Sequence, residues 1–397
     1  MKKSSLFFRQ KGMTIVELMV AVLIGLLSMY AVYRVYEGTE RTKRNIVAVG
    51  DVQVSGLYSI FLLEQDIHNA GSGIMANPLN APANGQALAN CGTGGAMGGV
   101  ASPAALTLRP LPVVIDAAPA NPNFDDVYVF SGTASSYITP LNVSAVNVAG
   151  AIMTATVTTP YDFFKNGDVL VDVGANGAAP PVACQAYLAT PVVPSAANCV
   201  PPPPATPTTC SATVNLQGAA TPAVDTRLVN LGAPARHRFY VNPANNTLLM
   251  ENWVLNTAGT WSLNRIDPIV TGVVSFRAQY GIAPQNGNGI NGIPVNQPIN
   301  QWVVATSPWD MATVLTAPWA TIQQIKAVRL SIIIRADEPE VDPNVAATLP
   351  TAFTQFAGCP GAAGTTCPAA ITTALPAGLR YRMYETVVPL KNTLWNP

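Results

Sequence analysis

From Leu18 to Tyr33 the chain reads LMVAVLIGLLSMYAVY without a single charge, and no proline interrupts it from Met13 to Asn77. With MTIVE ahead of it the apolar run reaches about 20 residues, enough for a helix to cross a hydrocarbon core of about 30 Å. Asn77-Pro78, after the glycine-rich AGSG at 70–73, is the first strong stop. One helix from Met13 to about Ala70 would therefore run roughly 85 Å at about 1.5 Å per residue. Ahead of it lies MKKSSLFFRQKG, with Lys2, Lys3, Arg9 and Lys11 and no acid. The positive-inside rule keeps that leader in the cytoplasm and exports the chain beyond Tyr33.

The order of features separates two export routes. A secretory signal is cut after its apolar core, at small residues. Here Arg34, Glu37, Glu40 and Arg41 come after the core instead, so the apolar segment is expected to be retained. Within it stands Glu17, five residues after Gly12. An ionisable group there costs up to about 2.5–3.5 kcal/mol at a helix centre, which marks it as functional. Cleavage between Gly12 and Met13 would create an α-amino group of pKa about 7.7–8.0, a cation for Glu17 to meet in its own helix or from a neighbour shifted along the axis.

KGMTIVELMV resembles the type IV prepilin processing motif: basic residues, Gly12, a cleavage point, then an apolar run with Glu17 at the fifth mature position. The resemblance implies that a prepilin peptidase cuts after Gly12 and methylates Met13, which stands where most members have Phe. Arg34 occupies the place of a helix-kinking Pro found in many major pilins, which suggests a minor pilin. EQDIHNAG at 64–71, DDVYVF at 125–130, RFYVN at 238–242, GVVSFRAQYGI at 272–282, KAVRLSIIIRA at 326–336 and RYRMYETVVPLKN at 380–392 resemble, in order, segments of PilW-type minor pilins.

The exported part of the helix, 34–77, reads as amphipathic. Ile46, Val49, Leu57, Ile60, Phe61 and Ile67 fall within an arc about 120° wide, the expected contact with a globular domain. Glu64 and His68 lie four apart on that stripe, spaced for an ion pair. Beyond Pro78 the pattern changes to short β-rich runs: Val127–Ser131, Ala151–Thr158, Val169–Val173, His237–Val241, Thr247–Glu251, Val273–Tyr280, Ala327–Arg335 and Arg380–Pro389. RFYVNPANNTLLME reads as a hairpin. The predicted fold is thus α+β, a long helix, half transmembrane and half amphipathic, packed on an antiparallel pilin-type sheet. Its divisions are a leader at 1–12, the span at 13–33, the helix continuation at 34–77 and an exported β-rich domain at 78–397. Pro- and Ala-rich loop insertions are expected at 174–222, 282–320 and 336–376.

Charge and cysteine content limit the remaining chemistry. Lys plus Arg equals Asp plus Glu at 21 each, which offers no case for nucleic acid. Six cysteines, Cys91, Cys184, Cys199, Cys210, Cys359 and Cys367, form no CxxC and are disulfide candidates in an exported chain, with several connectivities open. Cys359 and Cys367 close a small loop. Two histidines leave little for a His triad or metal site, and His237 between two arginines reads as a surface residue. GNGINGIP at 287–294 leads into Pro rather than a helix and reads as a loop. Asp125-Asp126 and DEPEVDP at 337–343 read as solvated loop acids rather than calcium ligands. The late tryptophans, Trp253 to Trp395, are expected in strands, with sugar stacking the rival.

No enzyme activity, metal or cofactor is expected. The resemblance implies a minor pilin anchored singly in the inner membrane with its N-terminus inside, then incorporated in a pilus to prime assembly or join the tip. Its partners would be prepilin peptidase, other minor and major pilins and the inner-membrane assembly platform. The alternatives are a type II secretion pseudopilin of J type, or a tip adhesin that uses pilin export.

Overall fold

The computed structural model describes residues 12–72, 111–117, 122–133, 141–149, 152–159, 167–175, 185–194, 210–217, 226–255, 261–283, 298–317, 319–322, 324–340, 343–361 and 364–391. Helix α1 runs unbroken over Ile15–Asn69. It ends where the chain turns at Ala70 and Gly71, whose φ of 76° an L side chain would rarely adopt. Strands β1 (Val113–Asp116) and β2 (Asp126–Ser131) follow. Next come β3 (Leu141–Ala149), β4 (Ile152–Thr159), β5 (Val169–Ala175), β6 (Gln185–Pro194), β7 (Cys210–Gln217) and β8 (Thr226–Gly232). Then come β9 (Ala235–Asn242), β10 (Thr247–Leu255), β11 (Trp261–Val270), β12 (Val273–Ile282) and β13 (Gln301–Val304). Short helices α2 (Met311–Thr316) and α3 (Trp319–Ile322) precede β14 (Ile325–Arg335). Helix α4 (Pro343–Ala346), β15 (Ala352–Gln355), β16 (Ile371–Ala374) and β17 (Tyr381–Pro389) complete the described elements.

Two antiparallel sheets carry the head. One has the order β1-β2-β9-β10-β11, the other β13-β12-β14-β17. The β9–β10 hairpin read from RFYVNPANNTLLME is present, closed at Asn242↔Thr247. Asn242 and Asn245 each accept a backbone N–H two residues on, from Ala244 and Thr247, and Asn246 takes φ 52°, the left-handed region asparagine tolerates best after glycine. Alternation sorts the faces of β12 and β14. Phe276, Ala278 and Tyr280 with Val328, Leu330 and Ile332 enter a core shared with Leu63 and Ile67 of α1 and Val127, Phe239 and Leu248 of the first sheet. The opposite face carries Ser275, Arg277 and Arg329, and the β15–β16 ribbon covers it with buried Gln355, which joins Ser275, Ser331 and Thr373 by hydrogen bonds. Both faces are therefore buried, which explains why these strands read as nearly continuous apolar runs.

The expected loop insertions are partly regular structure. Within 174–222, β6 and β7 complete a closed six-stranded barrel of order β3-β4-β7-β6-β5-β8, inserted between β2 and β9. Pro191 is accommodated because β6 shifts register between Thr190 and Val192, and a bulge is where a strand tolerates proline. Val169, Val171 and Leu188 of the barrel pack with Tyr128, Phe130 and Trp261 on the outer face of the first sheet. Segment 282–320 holds β13 and α2 and the start of α3, and 336–376 holds α4 and the β15–β16 ribbon.

Candidate assembly site

Helix α1 starts with a capping box. The Thr14 hydroxyl accepts the Glu17 N–H at 3.3 Å, and a Glu17 carboxylate oxygen accepts the Thr14 N–H at 3.2 Å and the Thr14 hydroxyl at 3.3 Å. Each satisfies a donor that the helix end leaves open, and the carboxylate sits at the positive end of the helix dipole. The sequence shows this box as T-I-V-E, a signal the reading of Glu17 as a partner for an amine passed over. Gly12 and Met13 precede the helix, both exposed, and a Cβ at Gly12 would meet nothing within 4 Å. The leader charges Lys2, Lys3, Arg9 and Lys11 lie outside the described residues.

Every side chain from Met13 to Tyr36 is exposed, in a helix long and apolar enough to cross a membrane. Past the apolar run the helix carries local ion pairs, Arg41–Glu37 at 2.5 Å, Arg44–Glu40 at 3.7 Å and Arg34–Glu37 at 3.8 Å. The head is reached further along. Val52, Gly56, Ser59, Leu63 and Ile67 form the buried stripe. This corrects the expected contact face: Ile46, Leu57 and Phe61 are 67%, 57% and 59% exposed, whereas Ile60 and Ile67 do face the head. The helix lies close to β17 because position 56 has no side chain. A Cβ there would stand 2.1 Å from Tyr384 Cε2. The Tyr384 hydroxyl donates to the carbonyls of Val52 and Gln53 at 3.3 and 3.4 Å.

Polar contacts fix the rest of the seat. Thr386 of β17 donates to Glu64, so Glu64 pairs across to the head and not with His68, whose buried Nδ1 has no hydrogen-bond partner among the described residues. Asp66 and His237 meet at 2.8 Å with both side chains more than four-fifths buried, so His237 is a helix-to-sheet contact rather than the surface residue expected. Toward the span, Asn45 donates to Glu340, which Arg380 also holds.

Asp125 and Asp126 are buried, not solvated. Asp125 accepts from Arg277 at 3.0 Å and from the Ala278 N–H at 2.8 Å, tying the start of β2 to β12 and so one sheet to the other. Burial pushes its carboxyl up to about 6, against the opposing pull of Arg277. Asp126 takes two bonds from Arg238 at 2.7 and 3.1 Å, and burial raises its carboxyl too. Both Asp125 oxygens and one Asp126 oxygen are thus engaged, which speaks against the calcium reading of this pair. Asp337 and Glu338 of DEPEVDP are exposed, as expected, while Glu340 is buried against Arg380. Cys359 and Cys367 form a disulfide. Cys210 opens β7, and Cys91, Cys184 and Cys199 fall outside the described residues. Trp261 and Trp302 are buried, the latter donating to the Pro360 carbonyl at 2.5 Å, and Trp253 donates to Glu251 at 3.1 Å, which leaves these rings structural.

Residues 238–392 match the family model of type IV pilus-assembly protein W, and residues 7–33 match that of the prokaryotic N-terminal methylation motif. The two matches together are those of a type IV prepilin-like PilW protein. The first match runs from within β9 to just beyond β17 and so covers both sheets except β1, β2 and the start of β9, leaving the barrel outside it. The second covers the leader's end, the capping box and the apolar run. No curated protein and no solved structure matches the chain. Both matched families are pilin-type, and the N-terminal methylation motif with an exposed apolar N-terminal helix fits a membrane-anchored pilin.

Proposed function

We propose that the chain is a minor pilin, cut by prepilin peptidase between Gly12 and Met13, methylated on Met13, and drawn from the inner membrane into a type IV pilus, where it primes assembly or joins the tip complex. The observation that carries this reading is the first helical turn. Glu17 is the only charge from Met13 to Tyr33, and it is exposed at the start of the helix with Thr14 as the partner of its carboxylate among the described residues. Cleavage would leave a cationic amine one residue ahead of Thr14. The carboxylate then has two uses, closing its own capping box and meeting an amine from a neighbouring helix, which would set subunit register. Its desolvation on entering a filament of packed helices is offset only if one of these donors stays with it. The head, with a barrel added to the PilW-type sheets, is bulky for a repeated shaft position, which favours the tip.

The test is direct. Gly12→Ala should leave the leader attached, about 1.3 kDa at ~110 Da per residue, visible by mass spectrometry. Glu17→Ala should keep insertion and cleavage while incorporation into sheared filaments drops. An intact Met1 start in assembled wild-type filaments refutes the proposal, and unimpaired incorporation of Glu17→Ala removes the register role.

A further inference from the structure

A cavity of about 390 Å³ opens between α1 and the end of β14, on the side of the head toward the apolar segment. Its size is in the range that small ligands occupy. Val47, Val52 and Ile334 give it an apolar floor, and its two walls are charged. Lys43, Arg44 and Asp51 stand on the helix, and Arg335, Asp337 and Glu338 stand on the head. No ion pair joins the two walls among the described residues. Arg44 meets Glu40 of its own helix at 3.7 Å. Arg335 keeps a buried Nε without a hydrogen-bond partner among the described residues, a costly state for a charged donor. Cations and carboxylates thus face one space without neutralising each other.

The place of the cavity along the helix narrows what could fill it. Tyr30, Tyr33 and Tyr36 are exposed on the last turns of the apolar stretch, and such rings settle at the level of lipid headgroups. Glu40 and Lys43, at the mouth of the cavity, lie beyond Tyr36 by about 6 and about 10 Å at about 1.5 Å per residue. The polar layer of a bilayer is about 5–8 Å deep on each side. In a membrane-anchored chain the mouth therefore stands at the rim of the headgroups.

We propose that this cavity takes the headgroup of a phosphoethanolamine lipid, with the phosphate on Lys43 and Arg335 and the ammonium on Asp337 and Glu338. Charge decides the class. A purely anionic headgroup would meet the carboxylates of Asp51, Asp337 and Glu338, and a simple cation would meet Lys43 and Arg335. The described acids, moreover, form no group able to hold a metal ion. A headgroup carrying both signs satisfies both walls, and its phosphate accepts charge-assisted bonds from ammonium and guanidinium groups. Ethanolamine is selected over choline because a primary ammonium donates hydrogen bonds to carboxylates. A quaternary ammonium is recognised by aromatic faces, and no aromatic ring is among the residues that line the cavity. A headgroup seated here bridges helix and head while the chain stands in a bilayer and is given up when the chain leaves it.

This rests on the membrane-anchored reading, and the test separates the two. The full chain in a mild detergent is offered equal amounts of phosphatidylethanolamine, phosphatidylglycerol and phosphatidylcholine, and the retained lipid is read by native mass spectrometry. Phosphatidylethanolamine should be retained in preference to both others. Lys43→Glu should lower its retention about fivefold, the effect of one cationic contact with a lipid headgroup. Arg41→Glu removes a cation at a similar depth but outside the cavity and should leave retention unchanged. Asp337→Asn combined with Glu338→Gln should shift the preference to phosphatidylglycerol. Free phosphoethanolamine, without acyl chains to hold it at the mouth, should not displace the lipid. Equal retention of the three lipids, displacement by free phosphoethanolamine, an unchanged preference in the double variant, or equal losses from Lys43→Glu and Arg41→Glu overturns the proposal. Alkaline extraction of membranes carrying the chain reports on the underlying reading: a chain that stays in the membrane without this preference refutes the cavity alone, and a chain that is released refutes both.

Discussion

Helix α1 approaches the head closely at Gly56, and this makes a quantitative prediction. An alanine Cβ would stand 2.1, 2.5 and 2.7 Å from three ring atoms of Tyr384. The ring must therefore move, and with it the hydroxyl bonds to the Val52 and Gln53 carbonyls. Overpacking of this kind costs about 1–3 kcal/mol, and the hydrogen bonds add about 1 kcal/mol. Against this stands a gain of about 1 kcal/mol from replacing a mid-helix glycine by alanine. Gly56→Ala should thus lose about 2 kcal/mol net, measured by urea unfolding of the detergent-solubilised chain with the fluorescence of Trp261 and Trp302 as the signal. Gly50→Ala is the internal reference, because its Cβ would meet nothing within 4 Å and only the helix gain applies. Combining Gly56→Ala with Tyr384→Ala should cost less than the sum of the two, since the clash disappears. If Gly56→Ala is stabilising to the same degree as Gly50→Ala, the helix does not seat against β17 in this way.

Three further outcomes concern the head. Asp125 has a folded-state carboxyl raised from 3.8 to about 6, so the folded chain holds a proton there that the unfolded chain has lost. Its contribution to stability falls as pH rises from about 4 to about 6, by on the order of 3 kcal/mol. Asp125→Asn, which keeps an acceptor for the Ala278 N–H, should gain on the wild type between pH 4.5 and 7.5 in urea midpoints, and a constant difference between the two refutes the assignment. His237→Ala should cost about 1 kcal/mol by removing the bond to Asp66, with faster amide exchange at the end of α1 and none of the change at its start. Replacing both Cys359 and Cys367 by serine opens a loop of sequence separation 8 and should cost about 2.5 kcal/mol by chain entropy, read as a lower urea midpoint with β17 contacts retained.

How far these features were legible in the sequence depended on whether their causes were local. The helix was, because an uninterrupted apolar run and a late proline are local signals, and the expected 13–70 matches Ile15–Asn69 to within two residues at each end. So were β2, β4, β5, β9, β10, β12, β14 and β17, where β-branched and aromatic residues recur. The barrel was not. Proline at 191 and the proline-rich run around 201–204 suggested a loop, and the pairings that close it, β4 with β7 and β5 with β8, join strands far apart in sequence. The buried acids were misread for the same reason: Arg277 is 152 residues from Asp125, and Arg238 is 112 from Asp126.

The helix face was misread for a different reason, and that reason bears on what the chain does. Periodicity ranks faces by apolar side chains, and the stripe that meets the head contains Gly56 and Ser59, residues chosen for close approach rather than for hydrophobicity. The more conspicuous apolar positions, Leu57 and Phe61, point away from the head. A helix serving only its own fold would place its largest apolar groups where the fold buries them. Here Gly56 and Ser59 stand with Leu63 and Ile67 on the face that serves the fold, while Leu57 and Phe61 stay outward, exposed like the apolar run that begins behind Glu17.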